Sequence, residues 1–365
     1  MFIYLTSKRF PATTADHIYI RALAHAFAKR LRERFKLVIA GKPSDDLQGV
    51  PVISVAVPSH LRSFFYFLWF PLFAISLPRS EPNVIFCNDF NLLSIAVFWR
   101  TFFPRRYRIC SDWHLLSETW KDKYVISRSD YLITTSRRLK QAICDVDANA
   151  ESRTEVVYGG VDLSQFAEKL PSRTALGLPE KRHLIGYVGL FKTMGQDKGI
   201  TTMIKSLHDL QVDFTMVFVG GSDEEIKEYQ SIADKEGVSD RCVFIARQPP
   251  ERVPVFERSM DILVIPYPND KHFREYGFPM KTYEYLAAER PIVYSDLSIL
   301  AEVLGGIGKK FTPDDSKSLA EAVRSSMKNQ PKHQNLVLYT WERKAQAILA
   351  FLSLGTHIVS VEKTA

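Results

Sequence analysis

Twice along this chain, short runs of almost uninterrupted apolar residues alternate with longer stretches of helical period. In the first half, Phe2–Leu5, Leu37–Ala40, Val52–Val55, Val84–Cys87, Arg108–Cys110 and Tyr131–Thr134 read as strands. Asp16–Leu31, with Asp16 as its N-cap, Leu61–Leu77, Asn91–Phe102 and Arg137–Cys144 read as the helices between them. The second half repeats the scheme, with strands at Leu184–Val188, Phe214–Val219, Val243–Ala246, Ile262–Ile265 and Ile292–Tyr294. Its helices fall at Gly199–Leu210, Glu224–Lys235, Met280–Ala288 and Ser316–Lys328, and a final helix at about Trp341–Leu352. Strands without polar alternation are covered on both faces, so each set is a parallel sheet clothed by helices. A chain of 365 residues exceeds one ordinary core. Pro171, Gly177 and Pro179 interrupt the pattern between the two sets. The expected fold is α/β, two Rossmann-like doubly wound parallel-sheet domains facing a cleft. Their expected extents are residues 1–163 and 164–340, with a helix and tail over 341–365 crossing back to the N-terminal domain. Ligands of such sheets lie beyond the carboxyl ends of the strands, which puts the expected site in the cleft.

Two segments there carry chemistry. Gly186-Tyr-Val-Gly-Leu-Phe-Lys-Thr-Met-Gly-Gln-Asp-Lys-Gly-Ile200 leaves a strand, crosses a glycine-marked loop and enters a helix. Glycines such as Gly189 let backbone approach a ligand closely. The helix start is expected to offer free amides to a phosphate, and Lys192 and Lys198 add positive charge. The spacing is neither a dinucleotide fingerprint nor a Walker loop. In the second segment, Tyr276-Gly-Phe-Pro-Met-Lys-Thr-Tyr-Glu284, a glycine and proline loop opens another helix. Glu284, about one turn in, is a candidate acceptor for two vicinal ribose hydroxyls, although spacing alone favours a surface helix charge.

Together these segments resemble the family-4 retaining glycosyltransferases, of GT-B fold, well over His183–Leu304 and through short fragments earlier. Family members carry a basic pair around a Gly-rich loop ahead of Lys-Gly, matched by Lys192 and Lys198-Gly199. They also carry two glutamates with seven residues between them, and Glu284-Tyr-Leu-Ala-Ala-Glu-Arg-Pro-Ile-Val matches the second, which holds the donor ribose in the family. The first aligns with Tyr276, while Glu275 stands one residue off register, so either Glu275 or Tyr276 takes the sugar-side position. Glu289 replaces the glycine that closes the family's helix. Val156-Val-Tyr-Gly-Gly-Val-Asp162 and Ser129–Ser136 look like family segments, and Cys110-Ser-Asp-Trp-His114 resembles the one contributing a cleft histidine. Phe10–Ile18 stands where the family has a glycine-rich first loop and is not one.

The resemblance implies retaining, metal-independent transfer of a sugar from a UDP-sugar or GDP-sugar to a glycan or lipid-linked acceptor. The N-terminal domain would take the acceptor side and the C-terminal domain the nucleotide sugar, without a cofactor. His114, Lys192, Lys198 and Glu275 are the expected catalytic residues; Gly189, Gly277, Phe278, Pro279, Met280 and Glu284 are the expected donor-binding residues. Two alternatives stand beside it: a nucleotide-sugar epimerase of the same fold, and a non-catalytic nucleotide-sugar-binding protein.

A net charge of +7 favours an anionic partner. Nucleic acid is the weakest choice, since no recognised nucleic-acid motif accompanies the spread of basic residues. Cys87, Cys110, Cys144 and Cys242 show no metal-ligand spacing and read as free thiols of a reducing cytoplasm. Asp145-Val-Asp147 resembles a metal-binding DxD but follows a helix, so no metal is expected. The apolar run Phe64–Leu77, flanked by Arg62 and Arg79 and containing Pro71, is too short and too kinked to span a bilayer. It reads either as a helix wedged against the sheet or as a peripheral contact with the inner face of the membrane, with Arg100, Arg105, Arg106 and Arg108 extending that surface.

Overall fold

The computed structural model describes residues 1–11, 14–58, 61–79, 82–193, 195–276, 279–328 and 336–353. The chain divides into two compact units, one of Met1–Gly160 with the helix from Trp341, the other Val161–Thr340.

The first unit runs β1 (Phe2–Leu5), α1 (Ala15–Leu31), β2 (Phe35–Ala40), β3 (Val52–Val55), α2 (Arg62–Ser76), β4 (Val84–Cys87) and α3 (Phe90–Arg100). It continues through β5 (Arg108–Trp113), α4 (Trp120–Ile126), β6 (Tyr131–Thr134), α5 (Arg137–Val146) and β7 (Thr154–Val156). All strands pair in parallel in the order β3-β2-β1-β4-β5-β6-β7. Strands β1 and β4 are wholly buried, as their unbroken apolar sequences require.

The second unit runs β8 (His183–Val188), a two-stranded hairpin of β9 (Lys192–Thr193) and β10 (Gln196–Asp197), α6 (Ile200–Ser206), β11 (Phe214–Gly221), α7 (Asp223–Lys235), β12 (Cys242–Ala246) and α8 (Val253–Ser259). It continues through β13 (Ile262–Ile265), α9 (Lys271–Glu275), α10 (Lys281–Ala287), β14 (Ile292–Ser295), α11 (Ser298–Leu304), β15 (Lys309–Phe311) and α12 (Ser316–Ser326). Its six parallel strands take the order β12-β11-β8-β13-β14-β15. The last helix, α13 (Trp341–Phe351), belongs to the first unit and packs beside α1. This is the GT-B fold class, two doubly wound parallel-sheet units.

Three local differences from the sequence expectation have physical causes. Helix α1 takes Thr14, not Asp16, as N-cap; Asp16 lies in the first turn and accepts from Lys8 Nζ at 2.9 Å. Strand β5 extends to Trp113, its buried polar residues making side-chain hydrogen bonds. Trp113 Nε1 donates to Ser111 Oγ at 2.8 Å, and the Tyr19 hydroxyl donates to Asp112 at 2.6 Å. Helix α2 is neither wedged nor free: it buries Tyr66, Phe70, Phe73 and Ala74 and exposes the opposite face. Pro71 has no N–H to give the Phe67 carbonyl one turn back, and Trp99 Nε1 of α3 donates to that oxygen at 2.9 Å. Arg106 closes the far end of α2, donating to the carbonyls of Ala74, Ile75 and Leu77.

Candidate active site

In the second sheet the strand order reverses between β8 and β13, and the crevice beyond their carboxyl ends is where such sheets bind ligands. Gly189 follows β8 at φ +138°, a region open to glycine, and a Cβ there would stand 2.7 Å from Lys281 Nζ. Gly199, at φ +91°, passes so near β13's exit that a Cβ would overlap the Pro266 carbonyl oxygen at 1.8 Å. These two glycines bring the β8 loop, the start of α6 and the start of α10 to one place.

The amides at the start of α6 are not free. Asp197 accepts from the N–H groups of Gly199 and Ile200, both at 2.8 Å, and of Thr201 at 3.1 Å. A carboxylate thus occupies the positions the sequence reading gave to phosphate. Lys192 is also engaged, its amine 2.6 and 2.8 Å from the Glu228 oxygens. Lys198 has no ion pair among the described residues; burial pushes its amine down to about 8, with Glu225 opposing.

The residue the sequence reading missed is Lys281, on the first turn of α10. It is buried, and its Nζ lies 3.6 Å from the ring centroid of Tyr187, with Tyr267 and Tyr285 within cation–π reach. That nitrogen has no hydrogen-bond partner among the described residues. Burial, then the charge of Lys198, hold it well below the usual lysine range, against Glu284 and Glu257. Glu257, on α8, is fully buried with both oxygens unbonded, and burial followed by Glu284 pushes its carboxyl well up. The available signal was position: Lys281 stands three residues before Glu284, on a helix start beyond the sheet.

Glu284 is half-buried in the first turn of α10, its carboxyl raised by burial with Lys281 opposing, so it is not an ordinary surface charge. Met280 is the N-cap of α10, and Pro279 accepts from the Thr282 amide at 3.1 Å. Glu275 ends α9 beside Arg274, at 3.6 Å, and Tyr276 is buried. Gly277 and Phe278 lie outside the described residues.

In the first unit His114 follows β5. Its Nε2 lies 3.3 Å from Asp112 Oδ2, and its ring meets Tyr19 edge-on at 4.6 Å. An ionised carboxylate only accepts, so this contact places the imidazole proton on Nε2 and leaves Nδ1 outward. Burial raises the Asp112 carboxyl, but His114, Lys344 and Tyr19 more than offset this and leave it below its ordinary value. Lys344 of α13 donates to the carbonyls of Val157 and Tyr158 at 2.7 and 3.1 Å; burial pushes its amine down to about 8, with Asp112 opposing. Asp147 caps a short helical turn and pairs with Arg153, and Asp145 accepts from Gln141. No group of three or more His, Cys, Asp or Glu residues among those described is placed to hold a metal ion.

A family sequence model, "Glycosyl transferases group 1", matches residues 168–343, the stretch that builds the second unit. Residues 168–343 are a domain of that family. The chain is 28% identical over 206 residues to a D-inositol 3-phosphate glycosyltransferase of Corynebacterium jeikeium, covering 52% of this chain and 44% of that one. It is 23% identical over 180 residues to an uncharacterized glycosyltransferase of Methanocaldococcus jannaschii, covering 47% of this chain and again 44% of that one. The match thus spans less than half the length of these relatives. Sucrose-phosphate synthase from Thermosynechococcus elongatus superposes with TM-score 0.73 at 17% identity, over 96% of this chain and 98% of that one. Anabaena HepE in complex with UDP gives TM-score 0.69 at 16% identity, over 97% of each chain. At these identities the structures speak for the fold, and the group 1 domain carries the family assignment.

Proposed function

We propose that the chain is a retaining, metal-independent glycosyltransferase that moves a sugar from a UDP-sugar or GDP-sugar to a glycan or lipid-linked acceptor. The observation that carries this reading is Lys281: a buried amine without a hydrogen-bond partner among the described residues, beside Gly189 and near Lys198, at the switch point of the group 1 sheet. Burial disfavours the charged form of that amine, and a diphosphate bound there favours it again.

Residues 164–340 then hold the nucleotide sugar and residues 1–163 take the acceptor side. As the glycosidic bond breaks, negative charge develops on the leaving diphosphate. Lys198 and Lys281 stabilise it, in the place a metal would otherwise take. Lys192, held by Glu228, becomes available to phosphate only by leaving that pair. Glu284 accepts from the ribose hydroxyls, and Glu275 or Tyr276 lies on the sugar side. His114 keeps its Nε2–H on Asp112; donating a hydrogen bond to the sugar or phosphate then requires its second nitrogen to be protonated as well. The complexes of HepE with UDP and with UDP-glucose support the donor class by analogy.

A thermal-shift series with UDP, GDP, ADP and their sugars tests the donor class. A ligand at a hundred times its dissociation constant stabilises by about 2.7 kcal/mol. No shift with any nucleoside diphosphate contradicts the reading. Turnover in excess EDTA should match turnover without it, and loss of activity restored by manganese or magnesium would contradict the metal-independent part.

A further inference from the structure

From Leu61 to Arg108 the only carboxylates in the sequence are Glu81 and Asp89, and Asp89 caps α3 and accepts from Ser7. On α2 the exposed side chains include Leu61, Phe64, Phe65, Leu68, Leu72 and Ile75, between 36% and 69% exposed. At helical spacing they fall within a stripe about 100° wide on the face opposite the buried one. The stripe does not end at α2. Phe67 packs against Phe98 of α3 with ring centroids 5.2 Å apart, and Phe98 and the following Phe102 are themselves exposed. Single exposed apolar residues are ordinary on a protein surface; a contiguous patch of this length is not.

Where α2 ends, the surface turns basic. Arg79, Arg105, Arg106 and Arg108 line one concavity with Pro78 and Pro104. Arg106 is spent on the carbonyls at the end of α2, and Arg108 donates to the Tyr131 hydroxyl. Arg79 and Arg105 are exposed and form no ion pair among the described residues.

We infer that this face, the exposed stripe of α2 and α3 with Arg79 and Arg105 at its end, docks on an anionic phospholipid bilayer. The charge pattern selects the occupant. An apolar stripe without carboxylates, continued by arginines that form no ion pair among the described residues, fits acyl chains and lipid phosphates together; a second copy of the same face would set arginines against arginines when the basic ends meet. The contact is peripheral. Helix α2 has 15 residues, about 22 Å long against a hydrocarbon core of about 30 Å, and no helix among the described residues is long and apolar enough to cross a membrane. Phe65 also lines a second concavity, with Arg9 and Lys42, at the carboxyl ends of β1, β2 and β3. The stripe therefore leads from a lipid surface towards the part of the sheet where doubly wound folds bind ligands.

The test is flotation of the full chain with vesicles of phosphatidylcholine alone and with added phosphatidylglycerol. It needs no turnover and so stands or fails separately from the transferase reading. The wild type should float with the anionic vesicles at low salt and much less with neutral vesicles or at high salt. Leu68→Asp with Leu72→Asp should lower vesicle affinity at least tenfold, and Arg79→Glu with Arg105→Glu by about tenfold, with thermal melting unchanged because all four side chains are exposed. Protein that stays in the lower fraction with both vesicle types overturns the inference, as does flotation that both double variants leave intact. Concentration-dependent self-association without flotation, abolished by Leu72→Asp, overturns it in favour of a homodimer face.

Discussion

Beyond β5 in the first unit and beyond β8 in the second, the same kind of sheet presents buried charge in opposite ways. In the first, one Asp112 oxygen accepts from Tyr19 and faces His114 while the other has no partner among the described residues, and Lys344 donates to two carbonyls. In the second, Lys281 has no hydrogen-bond partner among the described residues, and Glu257 has both oxygens unbonded. A bonded network fixes the geometry of the groups it contains; a buried ionisable group with no bond at all is a candidate place for a ligand to complete the structure. On the proposed reading, that difference leaves His114 positioned in the first unit and an anion to be received in the second.

The comparison can be broken most forcefully at Asp112. Asp112→Ala strips a buried network of its carboxylate and leaves the Tyr19 hydroxyl and the Lys344 charge without it. Stability should fall by about 3 kcal/mol or more, read by urea denaturation. A loss below about 1 kcal/mol would mean that the first unit does not depend on this network.

In the second unit the effects should appear in binding. Lys198→Ala should weaken nucleoside diphosphate binding at least tenfold with the fold intact, since a charge-assisted contact is worth about 1.5–3 kcal/mol. Its amine, lowered to about 8, also sets a pH dependence. The protonated form binds phosphate, so affinity should be held below pH 8 and decline as pH rises through it. Lys198→Arg should move that decline to higher pH, because a guanidinium stays charged; an unchanged profile would remove Lys198 from the contact. Smaller still, Glu284→Gln should raise the nucleoside diphosphate dissociation constant about fivefold, near 1 kcal/mol, by weakening acceptance from the ribose. Equal affinity by calorimetry would return Glu284 to a structural role.

The sheets were legible because buried parallel strands are nearly continuous apolar runs, and Phe2–Leu5, Val84–Cys87 and Ile262–Ile265 stand where the sequence places them. What escaped was short or polar. The seven-residue helices α4, α8 and α11 carry too few turns for a clear period and lack the loop motifs that marked α6 and α10, equally short, and Ser111 and Asp112 hid the second half of β5. Motif spacing located the loop after β8 and the helix of Glu284, but not which atoms are free there. Asp197 looks like one more loop residue until its carboxylate is seen on three amides, and Lys281 reads as a helix surface lysine until its burial among tyrosines is known. The first is a local capping contact, reaching two to four residues on, that spacing does not distinguish from open amides; the second depends on Tyr187, distant in sequence.

Lys281→Met tests the central claim most directly, with nucleoside diphosphate affinity and melting temperature measured on the same variant. Replacing a buried amine that has no bond among the described residues by an apolar side chain of similar length should leave the melting temperature unchanged or higher, while affinity falls at least tenfold, about 1.4 kcal/mol or more. Affinity equal to the wild type, or a loss of affinity accompanied by a collapse in melting temperature, would show that Lys281 belongs to the core and not to the donor site.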